Sequence, residues 1–362
     1  MHPRIRTTRH GVTLLEVLFS VLIGAIGLLG AIALLPVASE QARKGRQADA
    51  TAIAGEAFVN EIMTRRWFDP DNWLAYDGTN YLLHYQNKWY QSGSTTASTS
   101  GPNVGDSFCL DPRGFTLYTS MQPNYRVFPY GTSTGPWMHR IGIPARLSSG
   151  PRGYNYAPAE QAFTDLICTS ADDLITERLQ SDRSLPARQI FNPNAPTIND
   201  KLARESEGRI SWIATFCPNT GNTGDEYILS VVCFYNRPLP VATLDTTAER
   251  ETLVQLPGGG VTGGEITLLH ANADALALHT GDWIMLKGPR NPTASNPARF
   301  RWYRVLDTEA EPQSISGGYS RDATVFGSDW TLPQDETQAV LLTGVTAVYE
   351  RTVRIQRSSL WP

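Results

Sequence analysis

A run of about twenty-two residues without a charged side chain, from Val17 to Ala38, constrains this chain more than any other feature. As a helix the run would be roughly 33 Å long, close to the roughly 30 Å hydrocarbon core of a bilayer. Three arginines precede it, at positions 4, 6 and 9, and an acidic balance follows it. By the positive-inside rule, the sequence predicts a single inner-membrane span with a cytoplasmic N-terminus and an extracytoplasmic body.

Two other interpretations of this run stay open. A secretory signal peptide has an apolar core of roughly 7–15 residues followed by a small-residue cleavage site. Here the core is longer and begins beside Glu16, although the stretch 36–39 (PVAS) offers a weak cleavage site. An ordinary single-pass anchor is the other alternative, but it leaves Glu16 unexplained. A carboxylate at the centre of a membrane helix costs about 2.5–3.5 kcal/mol, so one inside the membrane margin favours a partner cation, and this helix offers none at the same depth.

Cleavage of the basic leader would create such a cation. The leader, residues 1–11 (MHPRIRTTRHG), ends in glycine. A cut after Gly11 would place the new α-amino group of Val12 four residues before Glu16. The amine of a neighbouring, axially staggered chain can pair with Glu16 more fully than the chain's own amine can. A buried pair of this kind sets register more than it adds stability.

The run Gly11–Leu18 (GVTLLEVL) resembles the cleavage and methylation motif of type IV pilins and type II secretion pseudopilins. The resemblance implies that prepilin peptidase cuts between Gly11 and Val12 and methylates Val12, and that Glu16 guides assembly into a filament. It also implies three further partners, namely other pilin or pseudopilin subunits, an inner-membrane assembly platform and membrane lipid. The stretch 25–30 (AIGLLG) is most similar to minor pilins, whereas Val12 stands where phenylalanine is most common.

Small residues follow the Glu16 side of the predicted helix. At 100° per residue, four of them lie within about 80° of one another and could let a second helix approach closely: Ser20, Gly24, Gly27 and Ala31. The alternative is that Gly and Ala are simply frequent in membrane helices. Pro36 is expected to bend or locally open the helix.

The helix is expected to cover residues 12–66, with its second half pressed against a folded domain. Apolar residues recur at Ala50, Ala54, Phe58 and Ile62, and positions 53 and 57 (Ile and Ala) are expected to widen this buried stripe. A long N-terminal helix is also what the family resemblance implies.

The remainder predicts a β-rich body, so the fold class is α+β with antiparallel sheets. Charged residues are only 18%, and the chain has 30 Gly, 24 Pro, 9 Trp and 14 Tyr, a mix typical of loop-rich β structure. One domain is expected over 67–240, with 241–362 either a second β-rich region or its continuation. The clearest strands are Arg209–Cys217 and Glu226–Asn236, a buried central hairpin. Further strands are expected at 251–256, 265–270, 283–287, 300–307, 338–343 and 345–357, and a short helix at 172–180.

Four cysteines, Cys109, Cys168, Cys217 and Cys233, are candidates for disulfides. No CxxC or Cys/His spacing indicates a metal site. If the hairpin turn is 218–225, the two cysteines of the hairpin lie about 20 Å apart, too far for a bridge. Any disulfide then has to use Cys109 or Cys168, and four buried thiols are the alternative.

Other classes of function find little support. The net charge of −4 would become −7 on loss of the leader, which disfavours a nucleic-acid binder. No HExxH, GxSxG or other catalytic signature is present, so neither an enzyme nor a cofactor is expected. A membrane-anchored adhesin is the alternative function, with an aromatic patch that could bind glycan or a surface: Tyr76, Tyr81, Tyr85, Trp89 and Tyr90. Such aromatics more often cap a β core.

Overall fold

The computed structural model divides the chain into two compact units, residues 1–50 and residues 51–362. The structure describes residues 14–85, 88–94, 97–98, 101–102, 106–118, 127–129, 136–148, 155–158, 164, 174–175, 205–206, 210–219, 226–237, 249–255, 264–289, 292–293, 297–333 and 336–355. The leader, Val12 and Cys168 lie outside these ranges. Of the short helix expected at 172–180, only residues 174–175 are described; they form a strand paired with residues 205–206, so the helix expected there is wrong at these two residues.

One long helix, α1, runs from Leu14 to Thr64. Its first part, Leu14–Ser39, has a mean hydropathy of 2.6 and is the one described helix long and apolar enough to span a membrane. The helix continues without a break through Pro36. The bend or local opening expected there stays a prediction. It ends before Arg66, whose φ of 57° lies in the left-handed region, and a short 3-10 helix at Pro70–Asn72 follows.

The remaining described elements are strands, one short α-helix, α2 (Pro112–Tyr118), and a 3-10 helix at Ala273–Leu276. In chain order the strands are β1 (Leu74–Tyr76), β2 (Tyr81–Tyr85), β3 (Lys88–Gln91), β4 (Ala97–Ser98), β5 (Phe108–Leu110), β6 (Val127–Phe128), β7 (Met138–Ile141), β8 (Pro144–Ser148), β9 (Asn155–Pro158), β10 (Leu174–Ile175), β11 (Glu205–Ser206), β12 (Ile210–Pro218), β13 (Glu226–Tyr235), β14 (Glu249–Gln255), β15 (Glu265–His270), β16 (Trp283–Gly288), β17 (Arg299–Thr308), β18 (Gln313–Ile315), β19 (Gly318–Phe326), β20 (Gln338–Leu342) and β21 (Val345–Arg354).

A six-stranded sheet has the order β21-β13-β12-β5-β7-β6. The predicted hairpin, β12 and β13, occupies its centre, and both strands are buried along most of their length. Such near-continuous apolar strands form where both faces of a sheet are covered. The pair β5–β7 is parallel and its other pairs are antiparallel.

The second large sheet closes into a barrel. Its order is β15-β14-β20-β16-β17-β19-β18, and an additional pairing of β15 with β19 joins six of these strands in a ring. Alternating residues point inward and form an apolar core that includes Ile284, Tyr303 and Val325. The short 3-10 helix Ala273–Leu276 contributes Leu276 to this core.

The barrel packs against the six-stranded sheet through a shared core. Met285 and Trp302 on the outer side of the barrel lie in one cluster with Ile213 and Val232 of the sheet. The last strand, β21, returns to pair with β13. Strands on the two sides of the boundary expected near residue 240 therefore share a core, while that boundary stays a prediction. Together, the long helix and the β-rich body confirm the α+β fold class.

Most strands beyond residue 240 match their predicted positions, but β18 and β19 were missed. The β19 sequence GYSRDATVF is largely polar and begins beside two glycines, so it lacks the apolar run that marks the other strands. It is a strand because Ala323 and Val325 fill the barrel core while the intervening residues face outward.

Candidate assembly site on the N-terminal helix

The membrane segment of α1 presents an uncovered surface. Glu16 and Ser20 are exposed, and the Ser20 hydroxyl donates to the backbone carbonyls of Glu16 and Val17 one turn earlier. A β-carbon added at Gly24 or Gly27 would meet nothing within 4 Å. Because Ser20 satisfies its hydroxyl within its own helix, the predicted seam offers small groups to a neighbouring helix.

Not all of the sequence-predicted residues on this segment can be located. Gly11 and Val12 lie outside the described residues, as does the side chain of Ala31. The roles of the cleavage residues, of Glu16 and of the seam therefore stay predictions.

The second half of the helix is fixed by aromatic packing on the six-stranded sheet. Ala54, Phe58, Val59 and Ile62 are buried along one face, as the periodicity predicted for most of them. The Phe58 ring lies 6.0 Å from that of Trp212, which is fully buried in β12. Burying an aromatic side chain removes a large apolar area from water, so this contact holds the helix to the sheet.

Trp67 and Trp73 extend the same aromatic cluster beyond the helix end. The Trp67 ring stacks on Trp212 with centroids 5.7 Å apart, and the Trp73 indole N–H donates to the Trp67 carbonyl at 2.7 Å. Trp73 in turn contacts Phe108 and Phe216 in the sheet. The contacts of Trp67 and Trp73 therefore fix the direction in which the chain leaves α1.

A close approach of helix and strand occurs at Gly55. A β-carbon at this position would stand 2.0 Å from Cε2 of Tyr349 in β21. The Tyr349 hydroxyl donates to the carbonyl of Ala52 at 3.3 Å, and burial raises the pKa of this phenol. Sequence reasoning missed this contact because Gly55 and Tyr349 are far apart in the chain.

The buried stripe is narrower than expected. Ile53 is 69% exposed and Ala57 is also exposed, so neither widens the face on the sheet. Both lie on the opposite side of the helix, because residues 54, 55, 58, 59 and 62 already fill the arc that meets the sheet.

A buried cluster of three charged side chains, Asp111, Arg140 and Arg237, links strands of the six-stranded sheet. The carboxylate of Asp111, which follows β5, accepts two hydrogen bonds from Arg237 at 2.7 and 2.6 Å and another from Arg140. It also accepts from the N–H of Gly114 at the start of α2. Burial alone would raise the pKa of Asp111, but Arg237 and Arg140 outweigh it and hold that pKa far below the usual range. The cluster is structural and joins β5, β7 and the end of β13.

The described cysteines are buried within the sheet. Cys217 pairs in register with Ile228 and Cys233 with Trp212, two residues from the expected register. Five rows still separate them, about 17 Å along the strands, and both are free thiols. Burial raises the pKa of each to about 12, which keeps them protonated and unreactive. Cys168 lies outside the described residues, so the expectation that any disulfide uses Cys109 or Cys168 stays a prediction.

Only part of the predicted aromatic patch is accessible to solvent. Trp89 is 5% exposed, its indole N–H donates to the carbonyl of Pro102, and its ring covers Gly101. Tyr85 is 52% exposed and its ring lies 6.4 Å from that of Tyr90. Trp89 therefore serves the fold of the small sheet β1–β4, and Tyr85 and Tyr90 supply its accessible aromatic surface.

Within the described ranges, no group of three or more His, Cys, Asp or Glu side chains could hold a metal ion. The absence of a metal or cofactor stays a prediction for the whole chain.

Comparison with known proteins places the N-terminus in a defined class. Residues 6–32 match the family model of the prokaryotic N-terminal methylation motif. The match spans the end of the leader, Gly11, Val12, Glu16 and the whole seam. No curated protein and no solved structure matches the chain.

This N-terminal segment is of the type IV pilin and pseudopilin kind, which confirms the resemblance seen in the sequence. The motif marks the chain as a precursor that prepilin peptidase processes, with one apolar helix typical of the single-pass anchoring of pilins. Such a motif indicates a structural subunit. The similarity to minor pilins stays a prediction.

Proposed function

We propose that this chain is a minor pilin or pseudopilin that assembles into a type IV pilus or a type II secretion pseudopilus. In this proposal the peptidase cuts between Gly11 and Val12 and methylates Val12, and the body lies outside the cytoplasm. The observation that carries the proposal is the methylation motif at residues 6–32, placed at the start of the continuous helix Leu14–Thr64.

The proposed assembly step is the pairing of Glu16 with the amine of Val12 on a neighbouring subunit. Burying two opposite charges as a pair costs less free energy than burying one of them alone. The pairing therefore favours the axial register in which Glu16 meets the amine of the neighbouring subunit. The open surface at Gly24 and Gly27 supports close packing of a second helix beside it. The inner-membrane assembly platform and other subunits are the proposed partners.

The first test is the mature N-terminus. Mass spectrometry of the chain purified from its native host should show a start at Val12 with a methylated α-amine. A chain that retains Met1, or that starts near Glu40, would contradict the proposal.

The second test is assembly of a Glu16→Gln variant, with Glu56→Gln as the matched control on the exposed face of the same helix. Glu16→Gln should reach the membrane and be cut, but should be lost from the sheared filament fraction. Glu56→Gln should be incorporated like the unchanged chain. Normal incorporation of Glu16→Gln would contradict the proposed pairing of Glu16 with the neighbouring amine. It would not contradict the proposed cleavage and methylation.

A further inference from the structure

Three residues form a row across neighbouring strands on the outside of the barrel. Trp283 of β16 pairs in register with Arg304 of β17, and Arg304 pairs with Phe326 of β19. Residues that pair directly across antiparallel strands lie on the same face of a sheet. The residues beside them, Tyr303 and Val325, belong to the core inside the barrel. The aromatic row Trp283–Arg304–Phe326 therefore lies on the outer face.

The fold leaves this aromatic row accessible. Phe326 is 66% exposed, and Leu306, two residues beyond Arg304 in β17, is 50% exposed. Arg304 is also exposed, while Trp283 is half-buried and packs partly against the core that the barrel shares with the six-stranded sheet. Apolar side chains stabilise a fold by leaving water, so the exposed Phe326 ring contributes little to the packing of the barrel.

The polar groups of the aromatic row are free within the part of the chain that the structure describes. There, the guanidinium of Arg304 forms no ion pair or hydrogen bond, and the indole N–H of Trp283 has no acceptor. This N–H is also not among the buried polar atoms. A guanidinium and an indole N–H only donate hydrogen bonds. The row therefore offers two aromatic rings with accessible donors.

A second row on the same outer face supplies acceptors. Asp307 of β17 pairs with Thr324 of β19, and Thr324 pairs with Glu265 of β15. Asp307 and Glu265 are exposed. At roughly 3.3 Å per residue, this row lies about 7 Å along the strand from Phe326. Ionised carboxylates only accept hydrogen bonds, so the two rows together present donors and acceptors beside aromatic rings.

This combination fits a neutral carbohydrate. The face of an aromatic ring carries partial negative charge, which attracts the C–H groups on one face of a sugar ring. Each sugar hydroxyl both donates and accepts hydrogen bonds, so it matches the donors of one row and the carboxylates of the other. Asp307 and Glu265 would repel a polyanion. An entirely apolar partner would bury the charges of both rows without compensation.

The spacing of the two rings favours an extended chain of sugars. Neighbouring strands lie about 4.8 Å apart, so Trp283 and Phe326, with one strand between them, are separated by about 10 Å. Two linked sugar rings span this distance. The aromatic row crosses the outer face of a sheet, and a flat, β-linked chain can contact both rings of such a row at once. A coiled, α-linked chain cannot follow it.

We propose that the outer face of β16, β17 and β19 binds a neutral, extended polysaccharide. Sugar rings stack on Trp283 and Phe326, and their hydroxyls accept hydrogen bonds from Arg304 and donate them to Glu265. This site is separate from the accessible tyrosines of the small sheet β1–β4. It goes beyond the proposed function and depends on neither cleavage nor filament assembly.

The test is isothermal titration of the full-length chain with cellohexaose, in a detergent that has no sugar headgroup. Maltohexaose, the α-linked glucose chain of equal length, is the control probe. Cellohexaose should bind in preference to maltohexaose. Phe326→Ala should weaken cellohexaose binding by about tenfold or more, because one stacked ring is lost. Arg304→Gln should weaken it as well. Both side chains are exposed, so both variants should keep the fold.

The matched controls are Tyr85→Ala, which removes a 52% exposed ring from the small sheet, and Arg351→Gln, which removes an exposed charge. Both should bind cellohexaose like the unchanged chain. Failure of the unchanged chain to bind cellohexaose, equal binding of maltohexaose, or undiminished binding by Phe326→Ala would overturn the proposal.

Self-association of the chain that is lost in Phe326→Ala, without binding of cellohexaose, would also overturn the proposal. It would identify the aromatic row as an interface between copies. None of these outcomes bears on the mature N-terminus or on Glu16, so failure of this proposal is distinguishable from failure of the proposed function.

Discussion

The Tyr349 ring lies where a side chain at Gly55 would have to be, with Cε2 only 2.0 Å from an ideal β-carbon on that glycine. The last strand of the sheet thus touches the backbone of the N-terminal helix, and Gly55 is the residue that permits it. This contact and that of Phe58 with Trp212 define how the part of the helix from Thr51 onward packs on the six-stranded sheet.

Gly55→Ala should lower the free energy of unfolding of the β body by about 1–3 kcal/mol, because the added methyl group displaces the Tyr349 ring. Urea unfolding followed by tryptophan fluorescence measures this. The control is Gly45→Ala on the same helix, where a β-carbon meets nothing within 4 Å and helix propensity favours alanine. In a Tyr349→Ala background, Gly55→Ala should lower the free energy of unfolding much less. An equal loss in both backgrounds would show that the clash with Tyr349 does not cause the destabilisation.

The two faces of the seated helix should respond differently to truncation. Phe58→Ala should cost about 3–5 kcal/mol, since it empties a buried site against Trp212. Ile53→Ala, at a side chain that is 69% exposed, should change stability by less than about 0.5 kcal/mol. The same urea titration tests both, and similar losses in the two variants would contradict the observed seating of the helix.

Asp111→Asn should cost about 3–5 kcal/mol, because it leaves Arg140 and Arg237 buried beside a neutral amide. The control Asp307→Asn, at an exposed site, should cost less than about 0.5 kcal/mol. Unfolding titrations at pH 7 compare the two variants directly.

The low pKa of Asp111 should also make the free energy of unfolding depend on pH. The folded-state pKa of Asp111 lies far below the ordinary value of 3.8, so the folded state binds fewer protons than the unfolded state. This contribution is fully present above about pH 4 and is lost as the pH falls below that value. Asp111→Asn should therefore lose less stability between pH 5 and pH 2 than the unchanged chain. Identical acid profiles would contradict the assignment.

The small-residue seam predicts a face-specific effect on assembly. Gly24→Leu places a large side chain near the Glu16 side of the helix and should reduce incorporation by about tenfold, equivalent to about 1.4 kcal/mol. Ala25→Leu adds similar bulk about 180° from Glu16 and should be incorporated normally. Immunoblots of sheared filaments measure both, and an equal effect of the two variants would argue against a seam.

A test of surface binding should use the accessible aromatic residues. Trp89→Ala should destabilise the body by about 3–5 kcal/mol, since Trp89 is buried. Tyr85→Ala removes a ring that is 52% exposed and should leave stability nearly unchanged. If the Tyr85→Ala, Tyr90→Ala double variant kept full adhesion while Trp89→Ala lost it, the loss would report unfolding and not a glycan site.

Local sequence patterns determined the class of the N-terminal segment and the positions of most of the predicted strands. The apolar run, Glu16 and the leader ending at Gly11 define the N-terminal class, because hydropathy and a short motif depend on neighbouring residues alone. The hairpin β12–β13 and most barrel strands were also predictable, since their apolar runs persist whatever they pack against.

The tertiary structure alone decided how these parts combine. The return of β21 to the first sheet, the closure of the barrel by β15 and β19, the salt bridge of Asp111 with Arg237, and the fit of Tyr349 against Gly55 all join residues distant in the chain. The same sheet decided that Phe58 is buried while Ile53 is exposed. Both residues are apolar, and only the position of the partner surface distinguishes them.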